Sequence, residues 1–231
     1  MNWKRLACLA LTAVLALTLT PHRVGAQTYL GIKGGLNLAD IYGSDSEGLD
    51  TRTALAGGAL VMFQVSPTFA IQPEFLYTMK GSKGSEAGLD LTLKLNYLEI
   101  PFLLKFLPPV SSATHPSVYI GPAVAFSLNS EAEAEYGGAS GSVDIANTKS
   151  VDVGLVFGGD VEIPAGQNGL VLLDIRYTLG LVKSFDDTEP FDINNPPAEL
   201  PIADPLTGNA YDAKNSALTF TVGYAFPLGG S

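Results

Sequence analysis

Along most of this chain apolar side chains recur at every second position, the period of a strand with two unlike faces. Eight such segments follow one another. In residues 28–38, Leu30, Ile32, Gly34, Leu36 and Leu38 share one face, and Tyr29, Gly31, Lys33, Gly35 and Asn37 the other. Residues 52–65 set Leu55, Val61, Phe63 and Val65 against Ala54, Ala56, Gly58 and Gln64, with Leu60 and Met62 blurring the pattern. Residues 69–80 oppose Phe69, Ile71, Phe75, Tyr77 and Met79 to Gln72, Glu74, Thr78 and Lys80, a face too charged for a dry core. Segments at 117–128, 150–163, 169–182 and 215–226 repeat the rule, with Tyr119 the exception in the first of them. In residues 169–182 the second face carries Asp174 and Arg176 together.

The segment at 89–107 changes phase. Leu91, Leu93, Leu95 and Tyr97 share one face, but Leu98, Ile100, Phe102, Leu104 and Phe106 fall on the other, which implies a β-bulge in this strand. Three prolines, Pro73, Pro101 and Pro122, fall inside segments three to five, where a closed barrel has no edge strand to host them. Counting from the short turns places them at one height on adjacent strands, and a bulged patch of wall is expected there.

Segments of about 11 residues or more exceed the ~5–6 typical of soluble strands and suit tilted strands crossing a bilayer. The connections at 39–51, 81–88, 129–149 and 183–214 are mostly long and polar, whereas 66–68, 108–116 and 164–168 are shorter. That asymmetry and the even strand count point to an all-β, eight-stranded antiparallel up-and-down transmembrane barrel. With apolar faces outward, Lys33, Glu74, Lys94, Glu99, Lys105, Asp152, Asp160, Asp174 and Arg176 would meet inside. Eight strands leave a bore only wide enough for side chains to fill. A packed polar plug is therefore expected, and a selectivity lining is the competing reading.

The ends fix the compartment. Lys4 and Arg5 precede an uncharged apolar run over residues 6–20, followed by Val24-Gly25-Ala26. This is the order of an export signal, with residues 1–26 cleaved and 27–231 forming the barrel domain. Cleavage removes Cys8, the one cysteine, and Trp3. It also leaves ten Lys and Arg against 23 Asp and Glu, a formal charge of −13, which excludes an electrostatic nucleic-acid surface.

Little catalytic chemistry remains. His115, the one histidine past residue 26, lies in a short turn, so no histidine stands at the long-loop end to serve a hydrolase triad. Glu74 and Glu99 are the most plausible carboxylate pair for glycoside hydrolysis, but Lys33, Lys105 and Arg176 are at hand to neutralise them. Gly34-Gly35 and Gly57-Gly58 suit close backbone packing or strand curvature. The long loops are acidic, with Asp45, Glu47 and Asp50, then Glu131, Glu133 and Glu135, then Asp186, Asp187, Glu189 and Asp192. None of their spacings matches an ordered calcium loop. Catalytic residues, cofactors and metals are not expected. Phe63, Phe69, Phe106 and Tyr224 are candidates for an aromatic girdle at the short-turn end.

The stretches Gly31-Ile32-Lys33-Gly34-Gly35-Leu36-Asn37-Leu38, Gln72-Pro73-Glu74-Phe75-Leu76-Tyr77, Tyr97-Leu98-Glu99-Ile100-Pro101-Phe102, Tyr119-Ile120-Gly121-Pro122 and Val222-Gly223-Tyr224-Ala225-Phe226 resemble the OmpX-like and PorT-like bacterial outer-membrane β-barrel family. The resemblance implies an eight-stranded outer-membrane barrel, often labelled porin-like, with no catalytic residues. It implies outer-membrane lipid as surroundings, the barrel-assembly machinery as a partner during insertion, and periplasmic N- and C-termini. The function expected is a non-enzymatic barrel displaying acidic external loops for envelope integrity, adhesion or partner contact. A soluble periplasmic calyx-like ligand-binding barrel and a narrow porin-like conductance pathway are the alternatives.

Overall fold

The computed structural model describes residues 27–43, 49–86, 88–166, 169–187 and 211–228. The expected export signal, Asp45, Glu47, Glu189 and Asp192 lie outside the described residues. Nine strands form one sheet: β1 (Thr28–Tyr42), β2 (Asp50–Ser66), β3 (Phe69–Glu86), β4 (Leu89–Phe106), β5 (His115–Tyr136), β6 (Ala139–Asp144), β7 (Val151–Ala165), β8 (Gly169–Gly180) and β9 (Lys214–Leu228). All pairings are antiparallel, and β1 closes on β9 from Thr28↔Leu228 to Tyr42↔Lys214. Strands β1–β5 and β7–β9 make a ring of eight, with β6 attached to the distal half of β5 alone.

The side chains point as an inside-out protein requires. Phe75 and Leu173 are 42% and 44% exposed on the outer wall, whereas Glu74 and Arg176 are 0% and 2% exposed within. Outward apolar residues run from Leu98 to Phe106 on β4 and from Leu218 to Phe226 on β9. Nine residues at ~3.3 Å each, tilted by ~40°, span roughly 20–23 Å, near the ~25 Å apolar band of outer-membrane barrels. Phe69 and Phe106 pack at 5.4 Å between ring centroids at the turn end of this band, where Phe63 and Tyr224 also lie.

The phase change in β4 has a different cause from the one expected. Inward burial continues unbroken through Leu95, Tyr97, Glu99, Leu103 and Lys105, so β4 has no slip at Tyr97. What inverts is the polarity of the surroundings. Below Leu98 the outer face meets lipid and must be apolar; beyond it the outer face meets water, and the apolar residues turn to the inner side. The bulge at this height belongs to β5: Tyr97 pairs with Ser127 and Asn96 with Asn129, leaving Leu128 as the extra residue.

Beyond the bulge, β3 to β6 continue as a four-stranded sheet standing off the barrel rim. Two expected connections are therefore mostly strand: β3 and β4 meet across residues 87–88, and β5 and β6 across Gly137-Gly138.

The prolines also act differently from the bulged patch expected. Pro73 pairs with Phe102, beside Pro101, and Pro101 pairs with Ala123, beside Pro122, so they do form a row on adjacent strands. Each leaves a two-residue gap in one ladder: β2–β3 at Pro73, β3–β4 at Pro101 and β4–β5 at Pro122. The register is the same on both sides of every gap. A missing N–H removes ladder hydrogen bonds without inserting a residue.

A narrow bore forces neighbouring backbones close on the inside. A Cβ on Gly35 would stand 1.9 Å from the Phe220 carbonyl oxygen, and one on Gly121 1.8 Å from that of Phe102. Glycine at these inward positions lets the sheet curl tightly.

Candidate functional site

The lumen is filled in layers. At the turn end Leu60, Met62, Ala70, Leu107, Leu172 and Ala225 form an apolar floor. Leu60 and Met62, which blurred the alternation of β2, belong here: they are inward residues that close the bore rather than outward residues meeting lipid.

Above the floor, Lys105 Nζ donates to Glu162 Oε1 at 2.6 Å and lies 2.8 Å from Asp160 Oδ2. The Ser117 hydroxyl donates to the other Asp160 oxygen at 2.7 Å. Gln72 links this layer to the next, accepting from Lys105 at 3.4 Å and donating to Glu74 at 2.7 Å.

The central layer is built on Arg176, whose guanidinium forks to two carboxylates. It donates to Glu74 at 2.7 and 3.1 Å and to Asp174 at 2.9 and 3.0 Å. Lys33 Nζ donates to Glu74 at 2.7 Å. Tyr119 donates its hydroxyl proton to Asp174, and its ring stacks 5.3 Å from the guanidinium carbon. Tyr119, the one exception to the alternation of its segment, is thus a polar-layer residue: its hydroxyl is what the lumen uses. Two bidentate forks on one planar cation fix geometry as well as charge.

Closer to the loop end, Lys80 lies 2.6 Å from Glu99 and 5.4 Å from the Tyr97 ring centroid. Asn215 Nδ2 lies within hydrogen-bonding distance of Asp152, Tyr97 Oη and Ser184 Oγ, at 3.1, 3.2 and 2.9 Å. Asp152 Oδ1 and Asn215 Oδ1 have no partner among the described residues, which makes this the least satisfied layer.

An apolar lid then closes the bore. Phe185, 1% exposed, packs with Ile41, Leu95, Tyr97, Ala132 and Ile145. Backbone bonds from Ser184 N to Ala213 O, Asp186 N to Asn147 O and Lys149 N to Ser184 O strap it across the mouth.

Eight of the nine expected lumen residues are buried here: Lys33, Glu74, Glu99, Lys105, Asp152, Asp160, Asp174 and Arg176. Lys94 is not among them. It lies on the outer parity of β4 beyond the polarity inversion, paired at 2.5 Å with Glu133 on the projecting sheet. Its placement inside rested on the supposed slip in β4, which reversed the faces of that segment. Lys80, Glu162 and Gln72 complete the network; the alternation of β3 and β7 already put them on its face.

Neither carboxylate of the supposed Glu74–Glu99 pair is free for acid–base work, since each is held by its own cations. His115 begins β5 at the turn end, far from the lid. No cluster of three His, Cys, Asp or Glu capable of holding a metal occurs among the described residues.

The profile of the family described as "Outer membrane protein beta-barrel domain" matches residues 25–186. This chain belongs to that family. The outer-membrane barrel is an integral membrane protein, and the calyx alternative fails, because a soluble calyx would turn Phe75 and Leu173 inward. No curated protein sequence matches the chain. Among solved structures, the barrel is similar to Neisserial surface protein A, at 12% identity, covering 89% of this chain and 100% of that one, with a TM-score of 0.45. It is also similar to OprG from Pseudomonas aeruginosa, at 11% identity, covering 90% and 98%, with a TM-score of 0.45. Ail, the attachment invasion locus protein of Yersinia pestis, matches at 11% identity over 88% and 100%, with a TM-score of 0.41.

Proposed function

We propose that this outer-membrane barrel is a non-enzymatic, non-conducting scaffold whose loop end faces outward to contact partners, with both termini periplasmic. The observation that carries the reading is the filled bore. An apolar floor, three hydrogen-bonded polar layers and an apolar lid succeed one another along the axis, and ions crossing it would have to break several buried ion pairs. The family match begins at residue 25, which supports cleavage of the leader after Ala26. The acidic rim and the projecting sheet support contact with a partner over passive reinforcement of the envelope.

Planar-bilayer recording tests the non-conducting claim. The purified barrel is expected to give no stable current steps; steps abolished by Arg176→Ala would make it a conductance pathway. Surface labelling of intact cells tests the orientation. Tyr136→Cys, at the tip of the sheet, is expected to react with a membrane-impermeant maleimide, and silence at that position would reverse the barrel.

A further inference from the structure

The sheet beyond the rim is two-faced in a way that water alone does not explain. Cross-strand pairs such as Leu89↔Tyr136, Leu91↔Ala134 and Ala132↔Val143 put apolar side chains together on the side turned toward the barrel axis. Leu91 is 45% and Tyr136 65% exposed, and Leu89 and Val143 are exposed beside them. This surface is continuous with the apolar lid through Leu93. The opposite side carries Asp90, Glu131, Glu133, Glu135 and Asp144 against Lys83 and Lys94. A contiguous apolar face in water, rimmed by charge of one sign, is the mark of an interaction surface.

We infer that this face docks a cationic, amphipathic polypeptide segment, one that lays apolar side chains on Leu91, Val143 and Tyr136 and brings Lys or Arg to the acidic rim. The inference rests on the proposed outward orientation of the loop end. Charge selects the occupant. A second copy would bring the same acids into opposition, and anionic lipid headgroups would be repelled in the same way. Acyl chains are also out of reach, because the face turns toward the axis and stands beyond the lipid band. Apolar contact supplies the affinity, and the acids supply attraction and choice of partner.

The test uses the purified full barrel in zwitterionic nanodiscs, with empty discs as the blank. The probe is a fluorescent amphipathic Lys/Leu peptide, compared with a Lys/Ser peptide of equal charge. Binding of the Lys/Leu peptide is expected to weaken roughly tenfold in a Leu91→Asn, Val143→Asn barrel. It is also expected to weaken with added salt and with Glu133→Gln, Glu135→Gln. Both pairs of sites are exposed, so a heat-modifiable gel shift at the wild-type position verifies that the variants are folded. Equal binding of the two peptides, an unchanged affinity in the Asn variant, or no binding by the wild-type barrel would each overturn the inference. Labelling of Tyr136→Cys on intact cells separates the two claims: a labelled cysteine with no peptide binding sinks the docking surface alone, and an unlabelled one sinks the orientation.

Discussion

Glu74 is the residue on which the buried network turns, and its loss sets a sharp expectation. Its carboxylate accepts from Lys33, Gln72 and both terminal nitrogens of Arg176, all within the wall. Glu74→Gln keeps the side-chain volume but removes the charge, leaving Lys33 and Arg176 to share Asp174. Removing one partner of a buried ion pair typically costs about 3–5 kcal/mol, because the cation left behind is desolvated and uncompensated. With a urea dependence of about 2–3 kcal/mol per molar, the unfolding midpoint in detergent should fall by roughly 1–2 M. Lys94→Ala, which breaks the half-exposed pair with Glu133, provides the contrast. A pair of that kind is worth about 0–1 kcal/mol and should move the midpoint by less than roughly 0.5 M. A Glu74→Gln barrel that unfolds within that margin of wild type would show that the layers are not bound by charge, and the argument for a packed polar plug would fail with it.

Other outcomes follow from the wall and the lid. Gly35→Ala should sharply lower refolding yield, because the new methyl would meet the Phe220 carbonyl, whereas Gly34→Ala has nothing nearer than 3.9 Å and should refold like wild type; equal yields would refute the curvature argument. Thr78→Cys, buried beneath the lid, should resist an impermeant thiol reagent on intact cells and become reactive when combined with Phe185→Ala, with labelling measured by gel shift. Amide-exchange protection should dip at the proline gaps in β2 to β5 and stay uniform along the β8–β9 ladder, unbroken from Leu170↔Ala225 to Leu179↔Ser216. Uniform protection across the gaps would mean that the ladders are intact.

Much of the architecture was legible in the alternation, because a barrel with unlike solvents inside and out writes its two faces directly into the chain. Glu74, Asp174 and Arg176 could be placed inside from parity alone. What parity could not separate was a change of strand phase from a change of surroundings. Both move the apolar residues to the other face, so β4 was read as bulged at Tyr97 and Lys94 was placed in the lumen. The apolar floor and lid were hidden for a related reason: Leu60 and Met62 look like noise in a pattern that assigns every large apolar residue to lipid. Phe185 lies in a connection with no periodicity, and only the fold brings it over the mouth. The ion-pair partners were equally invisible, since Glu74 and Arg176 are joined across the bore by tilt and register that no local pattern encodes.

The inversion along β4 and β5 fixes how deep the molecule rides. Were the barrel to sink by one strand repeat, Lys94 and Glu131 would be pulled toward acyl chains; were it to rise, Leu98 and Phe126 would be stranded among headgroups. Lipid-facing charge costs about 2–4 kcal/mol at mid-bilayer and falls toward zero at the interface, so the restoring force acts from both directions. The strands thus carry their own waterline, and the height at which the sheet is offered to the outside is set by the chain rather than by whatever it meets there.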